Sequence, residues 1–174
     1  MSTHSKITRY ALVGAGSRSF MFSDALLDIY KRTSSLVALC DVNQQRMDFH
    51  NQEYVRKYGA QPVPTWLAKD FDRMIAQLKP HVVIVATIDR LHHDYIIRAM
   101  EHGCEVITEK PMTTDVPKCR AILDTVERTG RRLRVTFNYR YSPARSKVKE
   151  LLLEGVIGEV KSVQFEWLLT GRIL

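Results

Sequence analysis

Residues Ala11–Phe20 read ALVGAGSRSF. The ALV closes an apolar run that begins at Ile7, as a buried strand would. Gly14 allows a tight turn out of that strand, and Gly16 allows close approach to the backbone. Phe22, Ala25, Leu26 and Ile29 then recur at helical spacing. Strand, glycine turn and helix in this order open a βαβ unit, whose helix start presents free N–H groups to an anion.

The same alternation continues along the chain. Ser35–Cys40 (SLVALC) reads as a second strand, followed by a polar helix from near Asn43 to Gly59 with Met47, Val55 and Tyr58 as its apolar points. PVPTW allows only a short strand between prolines, and LAKDFDRMIAQLKP is helical until Pro80. His81–Thr87 (HVVIVAT) is apolar on both faces, as a central parallel strand should be. DYIIRAMEHG returns as a helix ended by Gly103, EVIT is the next strand, and a helix capped near Asp115 runs to Gly130. RLRVTF supplies one more strand. The expected fold is therefore α/β, a doubly wound parallel sheet of the Rossmann kind over residues 1–137. Residues 138–174 read differently, as a turn, one helix and a long alternating strand in GEVKSVQFEWLL. They are expected to begin a second α/β domain.

Composition narrows the function classes. The chain has 174 residues, 45% hydrophobic and 26% charged, which is ordinary for a globular protein. No apolar run approaches the length of a membrane span, and MSTHSKITRY has no apolar leader segment. Cys40, Cys104 and Cys119 form no CxxC pair, so neither a disulfide framework nor a metal site is expected, and a cytoplasmic location is. The net charge of +7 raises the question of nucleic acid, and GRRLRV at 130–135 is the densest basic cluster. No helix-turn-helix, zinc-finger or aromatic RNA-binding signature accompanies it, so a solvated surface or an anionic small molecule is the expected use.

The glycine turn is answered further on. Asp41 ends the second strand close to the roughly twenty residues expected between a glycine turn and a ribose-binding carboxylate. Ser17, Arg18 and Ser19 complete the turn, with Ser19 standing where the usual pattern has a third glycine. The plainer alternative is a tight βα turn in which Asp41 merely caps the next helix. The context favours a dinucleotide, and an acid at position 41 favours NAD over NADP by repelling a 2′-phosphate. Arg46, one turn into the following helix, softens that preference.

VGAGSRS, CDVN, VATIDRLHHDYIIRAMEHGCEVITEKPM and FNYRYSPA together resemble the Gfo/Idh/MocA family, named for glucose–fructose oxidoreductase and inositol dehydrogenase. Members carry TPNxxH, a helix, a strand and then EKP. Here Thr87 begins the first element and His92 ends it, with Ile88 and Asp89 in place of Pro and Asn. Asn138, Arg140 and Pro143 keep the later NxR…P pattern.

The resemblance implies a Rossmann domain followed by a larger substrate domain, with a sugar or polyol bound between them. It implies that Lys110 is catalytic, binding and polarising the reacting hydroxyl or carbonyl. It also implies a cis bond before Pro111 and places His92, Asn138 and Arg140 on the cofactor side. Independently of the family, ligands collect at the carboxyl ends of parallel strands, and Lys110 follows such an end. A lysine there either accepts the hydroxyl proton or, charged, steadies a developing alkoxide. Glu109 orients it or pairs elsewhere; the alternative for both is an exposed salt-bridged loop. His92 and His93, adjacent on one helix start, point apart and do not make a metal pair.

The family's second domain often supplies an Asp and a His that complete the proton relay, and the last histidine of this chain is His102. The chain is thus expected to be a shortened member, with association of copies through the alternating strand around Phe165 and Trp167. Three functions fit: an NAD-dependent sugar or polyol dehydrogenase domain, a nucleotide-binding sensor without chemistry, and an NAD-dependent glycosidase fragment.

Overall fold

The computed structural model describes residues 7–166. They divide between Thr136 and Phe137 into two compact units.

The first unit is built on six parallel strands: β1 (Thr8–Val13), β2 (Ser34–Asp41), β3 (Thr65–Leu67), β4 (Val82–Val85), β5 (Glu105–Glu109) and β6 (Leu133–Thr136). Their order across the sheet is β3-β2-β1-β4-β5-β6. The order reverses between β1 and β4, and the crevice above that reversal is where such sheets bind ligands. Five helices connect the strands: α1 (Phe20–Asp24), α2 (Gln44–Tyr58), α3 (Phe71–Leu78), α4 (His92–Glu101) and α5 (Val116–Thr129).

Alternation along the strands feeds two cores. Ala11, Val13, Val83 and Val85 face α3, α4 and α5 through Phe71, Met74, Ile96 and Ile122. Leu12, Leu39 and Ile84 face the other way, against Phe22, Leu26, Met47 and Tyr54 of the α1 and α2 side. Because both faces are covered, the central strands are apolar throughout. Burying one such large side chain contributes about 1.5–3 kcal/mol, so these two layers dominate the stability.

Local chemistry sets the helix ends. Asn43 caps α2 by accepting from the Gln45 and Arg46 amides, and Gly59 closes it with φ of 59°. Asp115 accepts from Lys118 N to begin α5, and Gly130 ends it at φ of 63°.

Three sequence readings change. Ile29 is exposed, because a π turn at Ala25–Ile29 extends α1 and rotates Ile29 off the buried stripe. Along α2 the inward residues are Met47, His50 and Tyr54, whereas Val55 is exposed, lying one position around the helix from Tyr54. In the second unit α6 (Pro143–Leu153) forms, but residues 159–166 are not a strand. Val160, Val163 and Phe165 are exposed there. Alternation is only a pattern until another backbone completes a ladder, and none does so among the described residues. Trp167 lies outside the described residues.

Candidate functional site

The turn after β1 is shaped by contacts on both sides. Gly14 has φ of 93°, and a β-carbon there would lie 2.5 Å from the Ala86 carbonyl oxygen at the end of β4. Only glycine fits. Gly16 differs, since a β-carbon there would meet nothing within 4 Å. The protein itself leaves that space open. Gly14 N donates to Cys40 O at 2.8 Å and Ser19 N to Gly16 O at 3.1 Å.

Asp41 is buried, and its carboxylate ties two backbones together. Oδ2 accepts from Ala15 N at 2.6 Å, and Oδ1 accepts from Asn43 N at 2.9 Å. A cleft of about 270 Å³ opens beside it at the ends of β1, β2 and β4. Gly14, Gly16, Asp41, Arg46, Thr87 and Ile88 are on its wall. Cys40 lines its floor, with burial pushing the thiol up to about 12, so it serves as packing rather than as a nucleophile.

At the end of β5, Glu109 is buried and meets the glycine turn. Its Oε1 lies 3.2 Å from Arg18 Nε and accepts from Thr136 Oγ1 at 2.9 Å. Lys110, one residue later, is exposed. The Lys110–Pro111 bond is cis. His92 is wholly buried at the start of α4, with Nδ1 2.8 Å from Pro111 O and Nε2 3.0 Å from Thr87 O. It therefore joins the loop after β4 to the loop after β5. A neutral imidazole can donate to only one of these carbonyls.

Beneath the turn, His50 of α2 is buried and stacks on Phe20, with ring centroids 3.9 Å apart. Its Nδ1 is 2.9 Å from Tyr54 Oη, and its Nε2 is 3.4 Å from Ser19 Oγ. Ser19 Oγ in turn donates to Gly16 O at 2.6 Å. Burial lowers the pKa of His50, while the carbonyls of Gly16 and Ala15 and the carboxylate of Asp41 act in the opposite sense.

Residues 8–137 match the family model described as "Oxidoreductase family, NAD-binding Rossmann fold". The chain belongs to the Gfo/Idh/MocA family. Its first unit is that family's NAD-binding domain. The chain is 35% identical over 155 residues to a putative oxidoreductase, YteT, of Bacillus subtilis (strain 168), covering 88% of this chain and 36% of that protein. It is 31% identical over 155 residues to D-glucoside 3-dehydrogenase of Escherichia coli (strain K12), covering 87% of this chain and 41% of the relative. The WlbA dehydrogenase of Bordetella pertussis, crystallised with NADH and UDP-GlcNAcA, shares the fold at a TM-score of 0.72 and 23% identity, covering 86% of this chain and 43% of that one. The chain thus spans about two fifths of the length of these proteins.

The residues present fit a dinucleotide. Gly16 leaves a gap that a side chain would otherwise enter, beside a cleft carrying one carboxylate. The Gly14, Ala15 and Ser19 amides are bonded within the protein. Among the described residues, the Gly16 and Ser17 amides make no such bond and are the ones available to a phosphate.

Gly14, Gly16, Asp41 and Thr87 gather at the β1–β4 reversal, Ser17 follows in the same turn, and Arg18 and Glu109 are paired across it. His92, expected to face the cofactor, points instead into the protein and positions the two loops. Asn138 and Arg140 lie in the 3-10 turn Asn138–Tyr141 of the second unit. His50 was absent from the sequence reading. A polar residue at the i+3 position from Met47 and four before Tyr54, on a helix's buried stripe, was the available signal.

Proposed function

We propose that this chain is the cofactor-binding half of an NAD-dependent oxidoreductase acting on a CH–OH group of a sugar or polyol. The observation that carries the reading is Lys110. It is exposed at the carboxyl end of β5, directly after a buried carboxylate that reaches the glycine turn. In this reading Asp41 receives the adenosine ribose, the Gly16 and Ser17 amides receive the diphosphate, and Thr87 lines the approach to the nicotinamide. NAD is preferred to NADP because Asp41 repels a 2′-phosphate.

Bound nicotinamide supplies the hydride acceptor or donor. Lys110 binds the reacting oxygen and either takes the hydroxyl proton or steadies the alkoxide that forms as hydride leaves carbon. Glu109 does not orient Lys110 directly; it fixes the strand end from which Lys110 projects. Residues 138–174 begin the substrate domain. Further polypeptide covers the apolar side chains of α6 and of residues 159–166, either as the remainder of that domain or as a second copy.

Titration of the chain with NADH and NADPH, followed by a turnover screen over polyols and aldoses with the full-length protein, tests the proposal. NADH should bind more tightly than NADPH, and Lys110→Ala should keep NADH binding while losing turnover. Failure to bind either nucleotide would sink the reading.

A further inference from the structure

We infer that His50 is a positioning residue for the dinucleotide: it holds the glycine turn from beneath so that the Ser17 amide faces the ligand. The inference rests on the nucleotide reading of the turn and assigns it a support on α2.

The hydrogen-bond logic fixes the ring's role. Ser19 Oγ spends its proton on Gly16 O, at 2.6 Å, so toward His50 it can only accept. His50 Nε2 must then carry the hydrogen, and Nδ1 accepts from Tyr54 Oη at 2.9 Å. The resulting Nε2–H points toward Ser19 Oγ, 3.4 Å away. In a trans peptide the C=O and the following N–H point in opposite directions. The Gly16 carbonyl, held by the Ser19 hydroxyl beside the ring, therefore turns the Ser17 amide the other way. Gly16 borders the cleft and has open space where a side chain would sit.

The stack on Phe20 and the bond to Tyr54 hold the imidazole in place. Lys57 Nζ lies 4.9 Å from the centroid of the same Phe20 ring. Ser19 thus does more than replace a third glycine: its hydroxyl relays the histidine's hold on Gly16. Packing alone would need only a ring at position 50. Orientation of the turn needs the nitrogen-bound hydrogen.

Two variants separate these roles. His50→Phe keeps a ring to stack on Phe20 but has no N–H; His50→Gln keeps a donor but has no ring. NADH affinity is measured by fluorescence titration of the full chain, and stability by thermal unfolding. His50→Phe should bind NADH roughly five- to tenfold more weakly, the size expected for losing one buried hydrogen bond, and its Tm should fall as well, because the buried Tyr54 hydroxyl loses its acceptor. His50→Gln should bind within about twofold of wild type despite a lower Tm. If His50→Phe binds like wild type, or if affinity follows Tm in both variants, the inference is overturned. Should His50→Phe fail to fold, His50→Leu against His50→Gln carries the same contrast in affinity. A wild-type chain that does not bind NADH overturns the nucleotide reading, and this inference with it.

Discussion

Glu109 Oε1 lies 3.2 Å from Arg18 Nε, linking the end of β5 to the glycine turn after β1. The carboxylate side chain is 6% exposed and the guanidinium side chain 45%. The pair spans the top of the sheet at the strand reversal, with Thr136 Oγ1 also donating to Oε1. An acid placed before a catalytic lysine candidate thus has a structural use of its own.

Removing that carboxylate should cost stability without unfolding the protein. Glu109→Ala leaves Arg18 without this partner and Thr136 without this acceptor. Arg18 rehydrates because it is half exposed, so the loss should be about 1–2 kcal/mol rather than the larger cost of a wholly buried pair. Urea unfolding measures it. Glu109→Gln should lose less, because its carbonyl still accepts from Thr136.

The two glycines should separate stability from binding. Gly14→Ala places a methyl group against the Ala86 carbonyl at a positive φ and should cost on the order of 3 kcal/mol. Gly16→Ala meets no protein atom within 4 Å. Its Tm should stay near wild type while NADH affinity falls about tenfold or more, since the methyl group enters ligand space. Thermal unfolding and NADH titration on both variants check the contrast. Equal loss of Tm in the two would count against the assigned roles.

Asp41→Ala should have two effects. If Asp41 receives the ribose as proposed, its loss should weaken NADH more than NADPH, read from the ratio of their dissociation constants. Loss of the acceptor for Ala15 N and Asn43 N should lower stability by about 1–3 kcal/mol. Equal weakening of both nucleotides would show that Asp41 acts only by tying the turn to the end of β2.

His50 should leave a signature in the pH dependence of stability. Burial lowers its folded-state pKa below the ordinary 6.5, against the opposing pull of the Gly16 and Ala15 carbonyls and of the Asp41 and Asp24 carboxylates. The unfolded chain therefore takes up this proton first as pH falls, so the stability contribution is complete above about pH 6.5 and drains below it. Tyr54, bonded to Nδ1, has its pKa raised by burial and does not titrate in this window. Thermal unfolding at several pH values between 5 and 8 should show a steeper acid-side decline for wild type than for His50→Phe. Parallel curves would mean that His50 does not titrate differently on folding.

Much of the site was legible in the chain because its residues serve the backbone locally. Gly14 and Gly16 follow a strand and precede a helix; Asp41 ends the neighbouring strand; Lys110 follows another strand end. Such positions are tied to element boundaries, which hydrophobic periodicity marks. Residues whose purpose depends on a distant partner were harder to read. Glu109 had no visible partner in EVITEKP, since Arg18 precedes it by most of the domain. His92 looked like a ligand-facing group until Pro111 O and Thr87 O appeared on either side of its ring. Residues 159–166 alternate like a strand, yet a strand also needs a neighbour.

By itself, the sequence determined the parallel α/β architecture, the glycine turn and the lysine at the strand end, because each is dictated by short-range steric and hydrophobic rules. Only the tertiary structure decided what those groups lean on. Folding brings Arg18 to Glu109, Asp41 to Ala15 and His50 to Ser19, and a buried polar group must find its partner wherever the packed chain supplies one.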